Sequence, residues 1–198
     1  MHAPRTPLAL ALAAALAAAL PGAASAQARH AGGSGLALGA LVGFEDGSGD
    51  TGLALRGDVD VPLQALAPMV RLSFVGSLGY SRWTYHTAFF SDLNSTLNIF
   101  KLTPAVRFHF GQWPAVKPYA DAGLGLHYAR FSVRQRDPFG NVYTASDSDT
   151  NLHMRFAGGI VFPLAPTFGL GAEIDLTPYF GNVDNTSFSL LFAAVFRA

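Results

Sequence analysis

Nine side chains that can carry charge stand within segments dominated by apolar residues: Asp60, Arg71, Arg107, Asp121, His127, His153, Arg155, Glu173 and Asp175. His153 and Arg155 are two apart, as are Glu173 and Asp175, so on a strand each pair shares one face. Two imidazoles among carboxylates are a set that can hold a metal ion, relay a proton or assist hydrolysis. The same residues also read as arginine–carboxylate pairs, which fill a confined interior without doing chemistry. Ion-pair networks imitate active sites, and no Ser stands beside a His in a nucleophile arrangement. The structural network is therefore the reading carried forward, with no catalytic residue, cofactor or metal ligand assigned.

Either reading requires elements that bring the nine together. The stretch VKPYADAGLGLHYARFSV, 116–133, alternates. Ala120, Ala122, Leu124, Leu126 and Tyr128 fall on one side; Asp121, Gly123, Gly125 and His127 fall on the other. That is a strand between two unlike environments. Seven further segments alternate in the same way: 35–44, 52–61, 69–82, 96–110, 151–162, 167–179 and 186–197. Three connections are short and proline-bearing, at 62–68, 111–115 and 163–166. The other four, 45–50, 82–95, 134–150 and 180–187, are polar, and two are long. The two kinds alternate along the chain, so an up-and-down meander puts one kind at each end. The expected fold is all-β, an eight-stranded antiparallel up-and-down transmembrane β-barrel over 35–198. Strands of this length span a bilayer when tilted, and closure leaves no edge in lipid.

The apolar face is continuous on every strand and would overfill a small soluble barrel. The other face is rich in Gly, Ala and Ser, as a narrow interior requires. Phe108, Phe110, Phe162, Phe168 and Phe196 lie near the short turns, while Tyr80, Phe100, Tyr128 and Phe188 lie toward the long loops. Two aromatic belts mark two membrane interfaces. The apolar face therefore points to lipid and the charged face inward. Hairpin symmetry then places the charges. A turn centred at 114 sets Arg107 opposite Asp121, and one near 65 sets Asp60 opposite Arg71. A turn near 164 sets His153 opposite Asp175 and Arg155 opposite Glu173, with His127 one strand over. His109 at the rim and His86 in a long loop are expected to be solvated. Trp83, Tyr85, Phe89 and Phe90 are expected at the lipid interface.

The start of the chain reads as a secretory signal peptide, 1–26: Arg5, an apolar run of 13 at 8–20, and Ala24-Ser25-Ala26. A flexible lead, 27–34, follows. Removing Arg5 leaves 12 basic and 13 acidic residues, a formal charge of −1. Only 13% of residues are charged, about half the share of soluble domains, and nothing attracts nucleic acid. There is no Cys, so stability must come without disulfides.

The phrase KPYADAGLGL, the proline-anchored turns and the glycine-rich RFAGGIVFPL resemble the small eight-stranded outer-membrane barrels, the OmpA/OmpX-type barrel domain family. The resemblance implies a Gram-negative outer membrane reached by the Sec pathway, long loops extracellular and termini periplasmic. Members often end on an aromatic residue that the insertion machinery recognises, whereas here Phe196 is followed by Arg197 and Ala198. The expected function is a structural or surface-interacting outer-membrane protein with a filled or very narrow lumen, and not an enzyme. A small porin-like channel for ions or apolar solutes comes second. A lipid A-modifying enzyme comes third, since no matching His/Ser/Glu set stands near the outer loops. Expected partners are outer-membrane lipid and lipopolysaccharide, the insertion machinery and an extracellular partner that the sequence does not name. The barrel is expected to be a monomer.

Overall fold

A computed structural model describes residues 35–47, 50–88, 92–111, 115–136, 139, 141–181 and 185–197. The expected signal peptide and lead lie outside the described residues. Eight strands follow in chain order: β1 (Ala37–Gly47), β2 (Asp50–Ala67), β3 (Val70–Ala88), β4 (Asp92–Phe110), β5 (Lys117–Arg136), β6 (Val142–Ala165), β7 (Phe168–Pro178) and β8 (Thr186–Arg197). Each pairs antiparallel with the next, and β1 pairs with β8, closing the barrel. The expected fold class is the observed one.

Closure has a measurable geometry. Cross-strand partners lead from Leu170 to Ala194, Ala40, Gly57, Leu78, Leu102, Leu126 and Leu152. The Phe180 amide then donates to the Leu152 carbonyl at 3.0 Å. The circuit thus returns ten residues beyond its start. With ordinary strand spacings, a stagger of ten over eight strands gives a tilt of about 40° and a backbone radius of about 8 Å. That width leaves an interior that side chains alone can fill.

Alternation sorts the residues as composition requires. Leu78, Leu102, Leu124, Leu152, Ile174 and Phe192 face outward and are exposed. Small residues and all the strongly buried charges face inward, among them Ser73, Ser77, Asp121 and Glu173. Leu41, Ala54, Leu191 and Ala193 make a small apolar cluster within the lumen. The inner wall is crowded enough to need glycine. A Cβ on Gly159 would stand 2.5 Å from the Tyr119 ring, and one on Gly125 would stand 2.7 Å from His153.

The strands differ from the expected spans at both ends. The expected long loops 82–95 and 134–150 are largely ladder, running to Ala88↔Asp92 and Arg136↔Val142. Cross-strand hydrogen bonding continues outside the apolar pattern, because water tolerates a polar strand on both faces. Residues 142–148 of β6 are exposed throughout. At the other end, β2 continues through 62–67 with irregularities at Pro62/Gln64 and Ala65/Ala67. Another falls at Pro163/Ala165. Proline lacks a ladder donor, so it sits where the ladder is already broken.

Candidate functional site

The lumen holds two layers of charge with a histidine pair between them. The larger layer is built on Arg56 (β2), Arg107 (β4) and Arg155 (β6). Arg107 grips Asp121 on the adjacent strand with two bonds of 2.7 Å, and reaches Asp58 and Asp60 at 3.2 Å. Arg155 spans Asp121 and Asp175 at 2.9 Å and Glu173 at 3.1 Å. Arg56 binds Asp58 at 2.8 Å, Glu173 at 2.6 Å and Asp175 at 3.0 Å. Five carboxylates thus face three guanidiniums, and neutral donors meet the surplus. Tyr119 donates to Glu173 at 2.7 Å and Thr177 donates to Asp175 at 2.7 Å. The Tyr119 ring also lies against the Arg107 guanidinium, 4.2 Å from its centroid. A buried charge is tolerable only when paired and hydrogen-bonded, and this layer meets that condition.

The second layer is centred on Glu45. Its carboxylate accepts from Lys101 at 2.7 Å, Tyr179 at 2.7 Å, Ser187 and Ser81. The Trp83 indole donates to the Glu45 carbonyl at 3.1 Å. Trp83 joins Ile99, Ala129 and Tyr179 in a buried apolar cluster at this level. Between the layers, His127 and His153 meet edge-on at 5.9 Å, and His127 packs against Tyr179 at 4.9 Å. His153 bonds Thr103 Oγ1 at 2.7 Å. A hydroxyl against an imidazole is the pair that nucleophilic chemistry uses, but His153 is 1% exposed and Thr103 is 3% exposed. A cavity of about 20 Å³ lies beside them, lined by Glu45, Arg56, Lys101, His153, Arg155 and Asp175 among others. It has room for about one water molecule. Among the described residues, no group of three or more His, Asp or Glu side chains is arranged to hold a metal ion.

The structure sorts the nine sequence-selected residues. Arg107 and Asp121 stand in direct register. Asp60 lies opposite Val75 instead of Arg71, because β2 runs on past Pro62 to pair Ala67 with Val70, which sets the turn beyond the expected centre near 65. Arg71 is exposed, and Asp60 instead meets Arg107 and His109, each at 3.2 Å. In β6–β7 the register is Ala157↔Asp175 and Gly159↔Glu173. Arg155 still reaches both carboxylates by its length. His153 does not meet Asp175; it bridges to Tyr179 and bonds Thr103. The expected solvation of His109 is corrected, since it is half-buried and bonds Ser73 at 3.0 Å. Trp83 is likewise 2% exposed inside the barrel and not at the lipid interface, because β3 continues past residue 82. Phe89 and Phe90 lie outside the described residues.

Hairpin symmetry alone does not select Arg56, Asp58, Glu45, Lys101, Tyr119 and Tyr179. For the first two the alternation itself carries a signal: if Leu53, Leu55 and Val59 face lipid, Arg56 and Asp58 face in. Lys101 follows likewise from Phe100 and Leu102. Glu45 falls within an expected loop, yet it continues the inward series Leu41, Gly43 in β1.

The outer membrane protein beta-barrel domain matches residues 9–196. The chain belongs to that family. As an outer-membrane barrel it resides in the cell outer membrane. Its fold is similar to that of Neisserial surface protein A, at 20% identity over 85% of this chain and 100% of that one, with a TM-score of 0.53. The outer membrane enzyme PagL is similar at 17% identity over 82% of this chain and 99% of that one, TM-score 0.50. A major outer membrane protein from Thermus thermophilus is similar at 14% identity over 83% of this chain and 100% of that one, TM-score 0.50. These are likenesses of fold. No curated protein matches the chain.

Proposed function

We propose that this outer-membrane barrel is a structural or surface-interacting protein whose lumen is plugged by its own side chains, and that it is not an enzyme. One observation carries the reading: Arg56, Arg107 and Arg155 reach carboxylates on β2, β5 and β7 and so bridge across the interior. A backbone radius of about 8 Å leaves little beyond those side chains. The buried serines support the non-enzymatic reading, since Ser81 and Ser187 both donate to Glu45. The polar ladder of β3–β6 beyond the lipid-facing belt is the surface through which contact with the outside would be made. Planar-bilayer recording tests the plug. The wild-type barrel should give only small or rare conductance events. A steady wild-type pore would overturn this reading in favour of the channel. A lipid A mass shift in cells expressing the protein would overturn it in favour of the enzyme.

A further inference from the structure

The outward face of β3, β4, β5 and β6 changes chemistry in three successive rows. Cross-strand partners define each row. The first is Leu78–Leu102–Leu126–Leu152. Two residues further toward the long-strand end comes Tyr80–Phe100–Tyr128, with ring centroids 5.0 and 6.4 Å apart. The third is Arg82–Asn98–Arg130–Ser148. The Tyr80 hydroxyl donates to Asn98 at 2.8 Å, so the tyrosine aims its polar end from the second row to the third. Each row lies about 5 Å above the last for strands tilted by about 40°. The arginines therefore stand just above the aromatic belt, at the depth of lipid headgroups.

Arg82, Arg130 and, two rows higher, Arg134 are exposed. The lumen arginines are all bound to carboxylates, whereas these three make no salt bridge among the described residues. Asp147 and Asp149 of β6 alternate onto the opposite face, and their carboxylates accept from the backbone amides of Ser148 and Thr150. Arg82 and Arg130 are two strands apart, about 10 Å. Both side chains can therefore reach one anion in front of Asn98. Above them, Thr84, Thr96, Ser132 and Ser146 form a row of hydroxyls, followed by Asn94, Arg134 and Thr144.

We propose that Arg82, Asn98 and Arg130 form a lipid-facing site for a phosphate group of a phosphorylated glycolipid of the outer leaflet. Arg134 and the hydroxyl rows would contact its sugars. Guanidinium suits phosphate because it donates two parallel bonds. The rows of hydroxyl and amide side chains above the arginines favour a sugar headgroup over a small phospholipid headgroup. The proposal rests on the reading that the long-strand end faces outward.

The test uses the folded barrel in neutral detergent, titrated with bis-phosphorylated lipid A, dephosphorylated lipid A and phosphatidylglycerol, and read by native mass spectrometry. Bis-phosphorylated lipid A should bind best. Dephosphorylation and the R82Q/R130Q double variant should each weaken binding by about tenfold, the scale of hydrogen bonds to a charged group. Arg71→Gln, at the short-turn end, should bind as wild type does. The double variant should keep the wild-type urea midpoint, because the substituted side chains are exposed. Wild-type affinity in the double variant overturns the site. Equal binding of phosphatidylglycerol overturns the glycolipid. Protease accessibility on intact cells decides the orientation separately, so its failure is distinguishable from failure of the site.

Discussion

Glu173 shows how one residue holds this interior together. Its carboxylate accepts from Arg56 at 2.6 and 2.8 Å, from Arg155 at 3.1 Å and from Tyr119 at 2.7 Å. Glu173→Gln removes a charged contact from two guanidiniums, although Arg56 keeps Asp58 and Asp175 and Arg155 keeps Asp121 and Asp175. Losing these charge-assisted contacts should cost about 1.5–3 kcal/mol in urea unfolding from lipid vesicles. Adding Arg155→Gln should cost less in that background than in the wild type, because their shared contact is already gone. Adding Arg56→Gln should fall further short of additivity, because its contacts with Glu173 are shorter and twofold. Strictly additive losses in both double variants would mean that neither pair interacts. Tyr119 belongs to the same unit, since its ring rests on Gly159. Gly159→Leu should displace the ring, remove its bond to Glu173 and lower the urea midpoint. Unchanged stability would show that the ring has room elsewhere.

At the scale of strands, the sequence reads well wherever the hairpin is regular. The β4–β5 ladder is symmetric about residue 114, and there Arg107 meets Asp121 as counting from the turn requires. The β6–β7 ladder is centred on 166 instead of near 164, as Ala157↔Asp175 shows. The shift arises because β6 runs on past Pro163 to pair Ala165 with Phe168, so the turn lies later than the prolines suggest. The same applies to Asp60 and Arg71, since β2 runs on past Pro62 to Ala67. Which face a residue occupies is legible from period two alone; which partner it meets depends on turns that period two does not encode. Strand ends are hidden for another reason, because polar ladders outside lipid carry no apolar alternation. The face assignment makes its own prediction. Leu124 is 51% exposed on β5, between the inward Gly123 and Gly125. Leu124→Arg should cost about 2–4 kcal/mol of folding stability in a bilayer, as for a basic residue near the midplane. Gly125→Leu should fail differently, by driving a side chain into the Leu102 carbonyl and His153. A silent Leu124→Arg would mean that lipid and lumen faces are exchanged.

The whole barrel is lopsided. β3 to β6 carry 19, 19, 20 and 24 residues, whereas β1, β7 and β8 carry 11, 11 and 12. A tilted strand needs roughly 9–11 residues to cross the lipid, so the surplus of the long strands must emerge on one side. That side is the end where β3 joins β4 and β5 joins β6. Residues 142–148 of β6 are exposed on both faces there, which suits water and would leave Asp147 unsolvated in hydrocarbon. The opposite rim ends on outward aromatics, with Phe168 and Phe196 5.1 Å apart. A barrel inserted with its short turns inward presents the long ladders to the outside. Proteinase K added to intact cells should then cut between Ala88 and Asp92 or between Arg136 and Val142. The ladder itself should resist cleavage, because its backbone is paired up to those residues. Mass spectrometry of the products should find a carboxy-terminal fragment that begins within a few residues of Val142. Cleavage confined to 62–69 or 111–115 in intact cells would mean the barrel is inverted, with the charged ladders in the periplasm.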